Sequence, residues 1–337
     1  LDIREMETLT QPSPHDVGVV LIGRNEGQRL IDCMASLGDL AVRSVYVDSG
    51  STDGSIEAAR SMGLTVVELA PDVPFTAARA RNEGFAALLR IASDIEFVQF
   101  VDGDCRIVDG WIRKARDFFR DKDRLAIVCG RRREIFPEVS IYNRICDDEW
   151  NTPVGETEAC GGDCLIRVKA FRDVNGYSAD LIAGEEPEMC LRMREIGWTI
   201  WRIDADMTLH DANIRYFSQW WRRSVRAGHA YAQVAARHRM SDKRIWVRNV
   251  RRSLFWGGVL PAASLIVGAV VHPAFLALLA LYPLQVLRLA GKTSSKDRNR
   301  WAEAALSVVG KFAEMRGVAT YYSNVLTSRR HRLIEYK

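Results

Sequence analysis

Apolar residues in the first hundred positions come in short blocks, and each block closes on a polar cluster. Residues 17–22 are a nearly continuous apolar run followed by Arg24-Asn25-Glu26. A short apolar run bounded by polar residues predicts a buried strand. Leu30, Cys33, Met34 and Leu37 then recur at helical spacing. Residues 45–47 read as a second strand ending at Asp48, 55–62 as a short helix and 64–69 as a third strand. A helix is predicted over 77–91 and a fourth strand over 97–101, which ends in Asp102-Gly103-Asp104. Strands alternating with helices predict an α/β fold, a mostly parallel sheet with helices on its faces. Ligands of such sheets bind outside the carboxyl ends of the strands, where the polar clusters stand.

Beyond Asp104 the pattern is mixed. "LAIVCGRRRE" reads as a strand, and "CGGDCLIRVKAFRDVNGY" as a turn, a strand and a helix start. "AGEEPEMCLRMREIGW" opens a helix, with Pro187 suited to its first turn and Glu185, Glu186 and Glu188 favoured by its dipole. "WTIWRIDADMTLHDA" supplies a further strand and places His210 after it. The pattern changes again at Ser253. From there to Leu287 stand 35 residues without Asp, Glu, Lys or Arg. His272-Pro273 divides them into apolar runs of 18 and 15 residues, at 254–271 and 273–287. A spanning helix needs about 20 residues. Arg248, Arg251 and Arg252 precede the stretch, and Arg288, Lys292 and Lys296 follow it. Basic residues at both ends predict a hairpin that dips into or crosses a bilayer from its cytoplasmic side. The alternative is a buried helical pair. Residues 301–322 read as another amphipathic helix, followed by a basic tail suited to anionic lipid.

The 337-residue chain is 47% hydrophobic and 27% charged, which predicts a packed core. Its net charge of +4 hides a split. Residues 1–215 carry 26 Lys and Arg against 38 Asp and Glu, a net of −12; residues 216–337 carry 21 against 5, a net of +16. The basic part points to an anionic surface, membrane or nucleic acid. The seven cysteines form no CxxC pair, which argues against a disulfide framework or zinc site and suits reduced thiols. Asp2, Glu5 and Glu7, without an early apolar run, do not read as a signal peptide. The resulting division is a loose arm at 1–16, an α/β domain at 17–240 and a basic, apolar helical region at 241–337.

Asp102-Gly103-Asp104 reads either as a turn or as a pair of hard ligands for Mg²⁺ or Mn²⁺. Taken in order, "VGVVLIGRNEG", "VYVDSGSTDGS", "ARARNEG", "VQFVDGDC", "GGDCLIR" and "GEEPEMCLRMREIGW" resemble glycosyltransferase family 2, over about 17–228. The resemblance implies a GT-A fold and an inverting, metal-dependent transfer from a nucleotide-sugar donor, UDP- or GDP-linked. It implies that Glu26, Asp48 and Asp53 border the nucleotide and that Arg81 and Asn82 face the donor. It assigns Asp102 to ribose and phosphate and Asp104 to the metal, with His210 either a third ligand or a structural residue. Glu185-Glu186 stands where the family has Glu-Asp, whose second member is the base, so Glu186 is the expected base and Glu185 its neighbour. Asp163 either touches a sugar or caps its turn.

"FSQWWRR" is similar to the Gln-x-x-Arg-Trp segment of processive members. Gln219 and Arg222 fit, but Arg223 replaces the Trp, which speaks against processive polymerisation. Arg222 and Arg223 either clamp the pyrophosphate or lie on lipid headgroups. The acceptor implied is lipid-linked or a polysaccharide, at the cytoplasmic face of the plasma membrane. A nucleotidyltransferase would want a Gly-rich phosphate loop after the first strand, which "IGRNEGQRL" lacks. A non-catalytic binder of nucleic acid or another anionic polymer would show an aromatic RNA platform or a helix-turn-helix, and would leave the carboxylates without a role. No nucleic-acid partner is expected.

Overall fold

The computed structural model describes residues 15–292 and 299–327. Most of the arm at 1–16, Lys296 and the basic tail from 328 lie outside the described residues. The chain divides into two compact units. The first runs to Phe136 and adds Cys146–Leu181 and Glu185–Ala212; the second takes Pro137–Ile145, Ile182–Gly184 and the chain from Asn213. The division falls near 212, earlier than the 240 suggested by composition.

The first unit is built on a nine-stranded mixed sheet. Its strands are β1 (Val17–Gly23), β2 (Ser44–Asp48), β3 (Thr65–Glu68), β4 (Phe97–Asp102), β5 (Cys105–Ile107), β6 (Leu125–Glu134), β7 (Gly155–Glu156), β8 (Cys164–Arg167) and β9 (Thr199–His210). The order is β3-β2-β1-β4-β8-β6-β9-β5, with β7 paired to β9. β3, β2, β1 and β4 are mutually parallel. β8 runs antiparallel to β4 and β6, while β6 and β9 are parallel. The helices are α1 (Gln28–Ala35), α2 (Ser55–Ser61), α3 (Ala77–Ile91), α4 (Trp111–Phe118), α5 (Ile141–Glu149, shared with the second unit), α6 (Val168–Asp173) and α7 (Glu185–Glu195).

β1, β2 and β4 are buried almost throughout, as expected of strands that read as continuous apolar runs. Their register sets the site. Gly23 pairs with Asp48, and Ile22 with Asp102, so three polar clusters open at one edge of the sheet. At the far side, His210 at the end of β9 pairs with Cys105 and with Glu134. His210 is thus the last residue of its strand, not a loop residue after it.

The second unit is helical: α8 (Phe217–Arg237), α9 (Val247–Leu254), a π-helical turn (Phe255–Val259), α10 (Leu260–Val270), a 3₁₀ segment (Pro273–Ala280), α11 (Leu281–Lys292) and α12 (Arg300–Leu326). α8 and α12 cross at glycines. A Cβ on Gly228 would strike the Glu314 carbonyl, and one on Gly317 the Val225 carbonyl. That close packing is why α8 divides from the sheet-bearing unit. Val247–Val270 forms 24 residues of helix and Pro273–Lys292 twenty, and their most apolar 18-residue stretches have mean hydropathies of 1.7 and 1.6. At 1.5 Å per residue the first is about 36 Å long, enough for a hydrocarbon core of about 30 Å. Only 28% and 6% of their most apolar windows are buried, which does not suit the buried-pair alternative. Leu265, Ile266, Val270 and Val271 are all exposed. The turn falls at His272, as the sequence predicted, with its Nδ1 accepting from the Ala274 N–H at 3.1 Å.

Candidate functional site

At the parallel end, two loops are stitched together. The Asn25 Oδ1 accepts from the Thr52 N–H at 2.7 Å, and the Asn25 N–H donates to the Ser51 hydroxyl at 2.9 Å. Asp53 accepts from the Gly27 N–H at 2.8 Å and from the Ser55 hydroxyl at 2.6 Å. Burial opposes ionisation of Asp53, but the Ser55 hydroxyl and these N–H groups hold its carboxyl below the usual range. Asp48 is buried and accepts from the Tyr46 hydroxyl and from the N–H groups of Gly50 and Ser51, each at 2.8 Å. It shapes the loop around it. Glu26 is paired with Arg29 at 2.7 Å on the rim of the same loop.

The centre is Arg81, on α3. Its side chain is 3% exposed. One guanidinium nitrogen donates to Asp102 Oδ1 at 2.6 Å and another to Glu185 Oε1 at 2.8 Å. Burial alone would lower its pKa, but Asp102 and Glu185 outweigh this and keep it charged. It therefore ties the end of β4 to the start of α7. Gly162 makes room for it: a Cβ there would lie 2.7 Å from Arg81 Nη2.

Behind Asp102 stands Asp163, fully buried. It accepts from the Asp102 N–H at 3.1 Å and the Thr208 hydroxyl at 2.8 Å, and pairs with Arg132 at 2.8 Å. The expected alternatives for Asp163 are contact with a sugar or a cap on its turn, and its carboxylate oxygens are engaged by these three partners. Asn82, expected to face the donor, has its side-chain amide engaged as well. Its amide donates to the Tyr177 carbonyl at 2.7 Å and accepts from the Tyr177 N–H at 2.9 Å, so it clamps a turn.

Asp104 and His210 meet across the β5–β9 pairing. His210 Nε2 lies 3.4 Å from Asp104 Oδ2, and Nδ1 lies 3.6 Å from Glu134 Oε2. All three residues are buried, and the edge of Trp150 packs on the imidazole. Nδ1 has no hydrogen-bond partner. Glu134, Arg132 and Trp150 were not anticipated. Only the β6–β9 register, with its slips at Arg131 and Arg132, could have found the first two.

Glu186 turns inward on α7. Its Oε1 accepts from the Cys160 N–H at 2.7 Å and from the thiols of Cys160 and Cys190 at 3.0 and 2.9 Å. Burial raises its pKa, against the pull of these donors. Burial also pushes the Cys160 thiol up, and that of Cys190 to about 12. Glu185, by contrast, is held by Arg81. Arg222 and Arg223 lie on α8 in the second unit, the first exposed and the second half-buried.

The first unit thus gathers carboxylates of two kinds: some paired with guanidinium, others facing imidazole or thiol. Residues 19–173 match the model of the family described as glycosyl transferase family 2. Over 240 residues the chain is 27% identical to the pre-mycofactocin glycosyltransferase of Mycobacterium tuberculosis, in strains CDC 1551 / Oshkosh and H37Rv. That match covers 67% of this chain and 49% of the relative, so the chain spans about half the length of the curated relatives it matches. Among solved structures, the mannosyltransferase PcManGT from Pyrobaculum calidifontis, in complex with GDP-Man and Mn²⁺, superposes with a TM-score of 0.62. It is 17% identical, with 94% of this chain and 93% of that one covered, and the likeness is one of fold.

Proposed function

We propose that this chain, whose residues 19–173 match glycosyl transferase family 2, is a glycosyltransferase that transfers a sugar with inversion from a nucleotide-sugar donor to a hydroxyl of a lipid-linked or polysaccharide acceptor. One observation carries the reading. Arg81 joins Asp102, at the strand end where α/β sheets bind ligands, to the acidic turn that opens α7. Donor handling and acceptor activation are thereby coupled through one buried cation.

The residues present fit a divalent metal. Asp104 offers a carboxylate oxygen and His210 an imidazole nitrogen, a donor set that suits Mn²⁺. Glu134 Oε2 lies 3.6 Å from Nδ1, beyond hydrogen-bond length but on the ring nitrogen opposite Asp104, where carboxylates orient ligating histidines. A cation held by Asp104 and His210, with Asp102 beside them, would offset the charge of the departing diphosphate. Glu186 accepts the proton of the acceptor hydroxyl as its oxygen bonds to the sugar carbon and the sugar–phosphate bond breaks. Burial raises the pKa of Glu186 above the ordinary 4.5, which makes its carboxylate a stronger proton acceptor. Asp48, Asp53 and Glu26 shape the loops that border the nucleotide. Arg222 and Arg223 serve the pyrophosphate or the headgroups of a bilayer. The exposed hairpin supports attachment to a membrane, at its cytoplasmic face by the charge of its flanks.

The test is a panel of UDP- and GDP-sugars with Mn²⁺ and Mg²⁺ on the full chain in detergent, read by calorimetry and product formation. GDP-Man with Mn²⁺, the pair in the fold neighbour, is the first to try. Metal-dependent nucleotide binding that is lost in Asp104→Asn is expected. Equal binding without metal, or in Asp104→Asn, would sink the metal reading.

A further inference from the structure

The fold brings together two cysteines that lie thirty positions apart in the sequence. Cys160 Sγ and Cys190 Sγ are 3.9 Å apart, and both donate to Glu186 Oε1, at 3.0 and 2.9 Å. The three ligand atoms lie within 4.8 Å of one another. We propose that Cys160, Cys190 and Glu186 form a second metal site, for a thiophilic cation such as Zn²⁺, whose occupation takes Glu186 out of the reaction.

The geometry is close to what tetrahedral zinc needs. With Zn–S bonds of about 2.3 Å, two thiolates on a tetrahedral ion sit about 3.8 Å apart. A thiolate and a carboxylate oxygen at about 2.0 Å from the ion sit about 3.5 Å apart. The sulfur pair therefore needs almost no movement. The sulfur–oxygen distances must open by about half an ångström, as two S–H···O bonds give way to bonds from sulfur and oxygen to the ion. Each thiol loses its proton on binding. Two thiolates and one carboxylate then leave a net charge of −1 around Zn²⁺.

Access is from one side. Cys190 and Glu186 are buried, while Cys160 is half-exposed, which leaves the fourth position to water, as in an open zinc site. The donor set separates this site from the first one. Asp104 and His210 offer oxygen and nitrogen, which suit Mn²⁺ and Mg²⁺, whereas sulfur selects softer ions. The sequence hides the site because its signal is not a CxxC pair: the β8 turn carries one thiol and the first turns of α7 carry the other thiol and the carboxylate. The inhibitory half rests on the reading of Glu186 as the base. The binding half does not.

The experiment uses the full chain, reduced, with saturating Mn²⁺, titrated with Co²⁺ as a spectroscopic stand-in for Zn²⁺. A thiolate-to-Co²⁺ charge-transfer band in the near ultraviolet is expected, abolished by competing Zn²⁺. Cys160→Ala and Cys190→Ala should each weaken binding by more than about tenfold, the scale that even outer-shell changes reach. Cys160→Ala alters a half-exposed residue, and circular dichroism would verify its fold. Asp104→Asn should keep the band. No band, or a band indifferent to both cysteine variants, would overturn the site. Zn²⁺ should also block transfer, reversibly on chelation, in wild type but not in Cys160→Ala wherever that variant retains turnover. Saturation of the cysteine site with transfer intact would overturn the inhibitory half, and the assignment of Glu186 with it.

Discussion

Replacing Arg81 by Met tests the proposed coupling most directly. The side chain is 3% exposed, with charged hydrogen bonds of 2.6 Å to Asp102 and 2.8 Å to Glu185. At a charge separation of about 4 Å and an effective dielectric near 20, each pair is worth about 4 kcal/mol before desolvation. Burying the guanidinium takes back much of that sum. What remains to be measured is the loss of one partner from a buried ion pair, about 3–5 kcal/mol. Met keeps the apolar stem, so little of the loss arises from packing. Asp102 and Glu185 would then lose the cation that joins them, leaving Asp102 the longer Arg132 contact at 3.6 Å, and donor affinity should fall as Asp102 loses its anchor. The assay is urea unfolding of the first unit's transition, alongside calorimetry with nucleotide diphosphate. Glu185→Gln and the double variant complete a cycle, with a coupling of about 1–3 kcal/mol expected for residues in direct contact. Arg81→Lys should rescue only in part, because one ammonium cannot span both carboxylates as the guanidinium fork does. A loss below about 1 kcal/mol in Arg81→Met, or strict additivity with Glu185→Gln, would refute the reasoning.

Glu186→Gln should leave donor binding intact and lower transfer by about 10²–10⁴. A larger loss in Glu185→Gln than in Glu186→Gln would reverse the assigned roles. Burial raises the folded pKa of Glu186 above the ordinary 4.5, so ionising it costs the folded state stability. The stability that wild type has below 4.5 is lost as pH rises through the folded value; Gln lacks this loss, so its melting temperature should gain on wild type over that window. Melts at pH 4 and pH 8 with the same difference would contradict this. Asn82→Ala should cost about 1–2 kcal/mol, by unpairing the Tyr177 backbone, yet leave donor affinity unchanged; a calorimetric loss of affinity would return Asn82 to the donor site. The full chain should sediment with vesicles and stay bound in high salt, because apolar burial at about 25 cal/mol per Å² does not screen. A detergent-free monomer that ignores vesicles would remove the membrane reading.

The sheet was legible because β1, β2 and β4 are buried on both faces and so read as unbroken apolar runs. The acidic clusters were legible because a parallel register must bring strand ends such as Asp48 and Asp102 together. Arg132 and Glu134 were not, because "GRRRE" reads as a polar strand end whose aim is fixed only by the slip of β6 against β9. Asn82 and Asp163 stand apart from these. Their motifs imply contact with the donor for Asn82 and either contact with a sugar or a turn cap for Asp163, and no spacing in the sequence reveals the partners that the fold gives their polar atoms: Tyr177 for the first, and Asp102, Thr208 and Arg132 for the second. The sequence places the end of the α/β domain at 240 and the compact units divide near 212; Gly228 and Gly317 are unremarkable alone, and their role in packing α8 on α12 shows only in the fold.

The paired aspartates that close β4 divide their work by the partners that the fold supplies. Asp102 remains on the strand, where Arg81 and Arg132 meet it from two sides and Asp163 holds its N–H. Two residues later the chain has passed Gly103, whose N–H is bonded to the Ile22 carbonyl at 2.8 Å, and stands one residue before β5. Asp104 therefore faces β9 and meets an imidazole in place of a guanidinium. A carboxylate paired with guanidinium competes poorly for a cation, since metal binding would set two positive charges against each other. One facing an imidazole, itself a metal-ligating group, gains a second ligand. The one-residue spacing is thus enough to give the two aspartates different partners, which is the basis for proposing that Asp102 orients and Asp104 ligates.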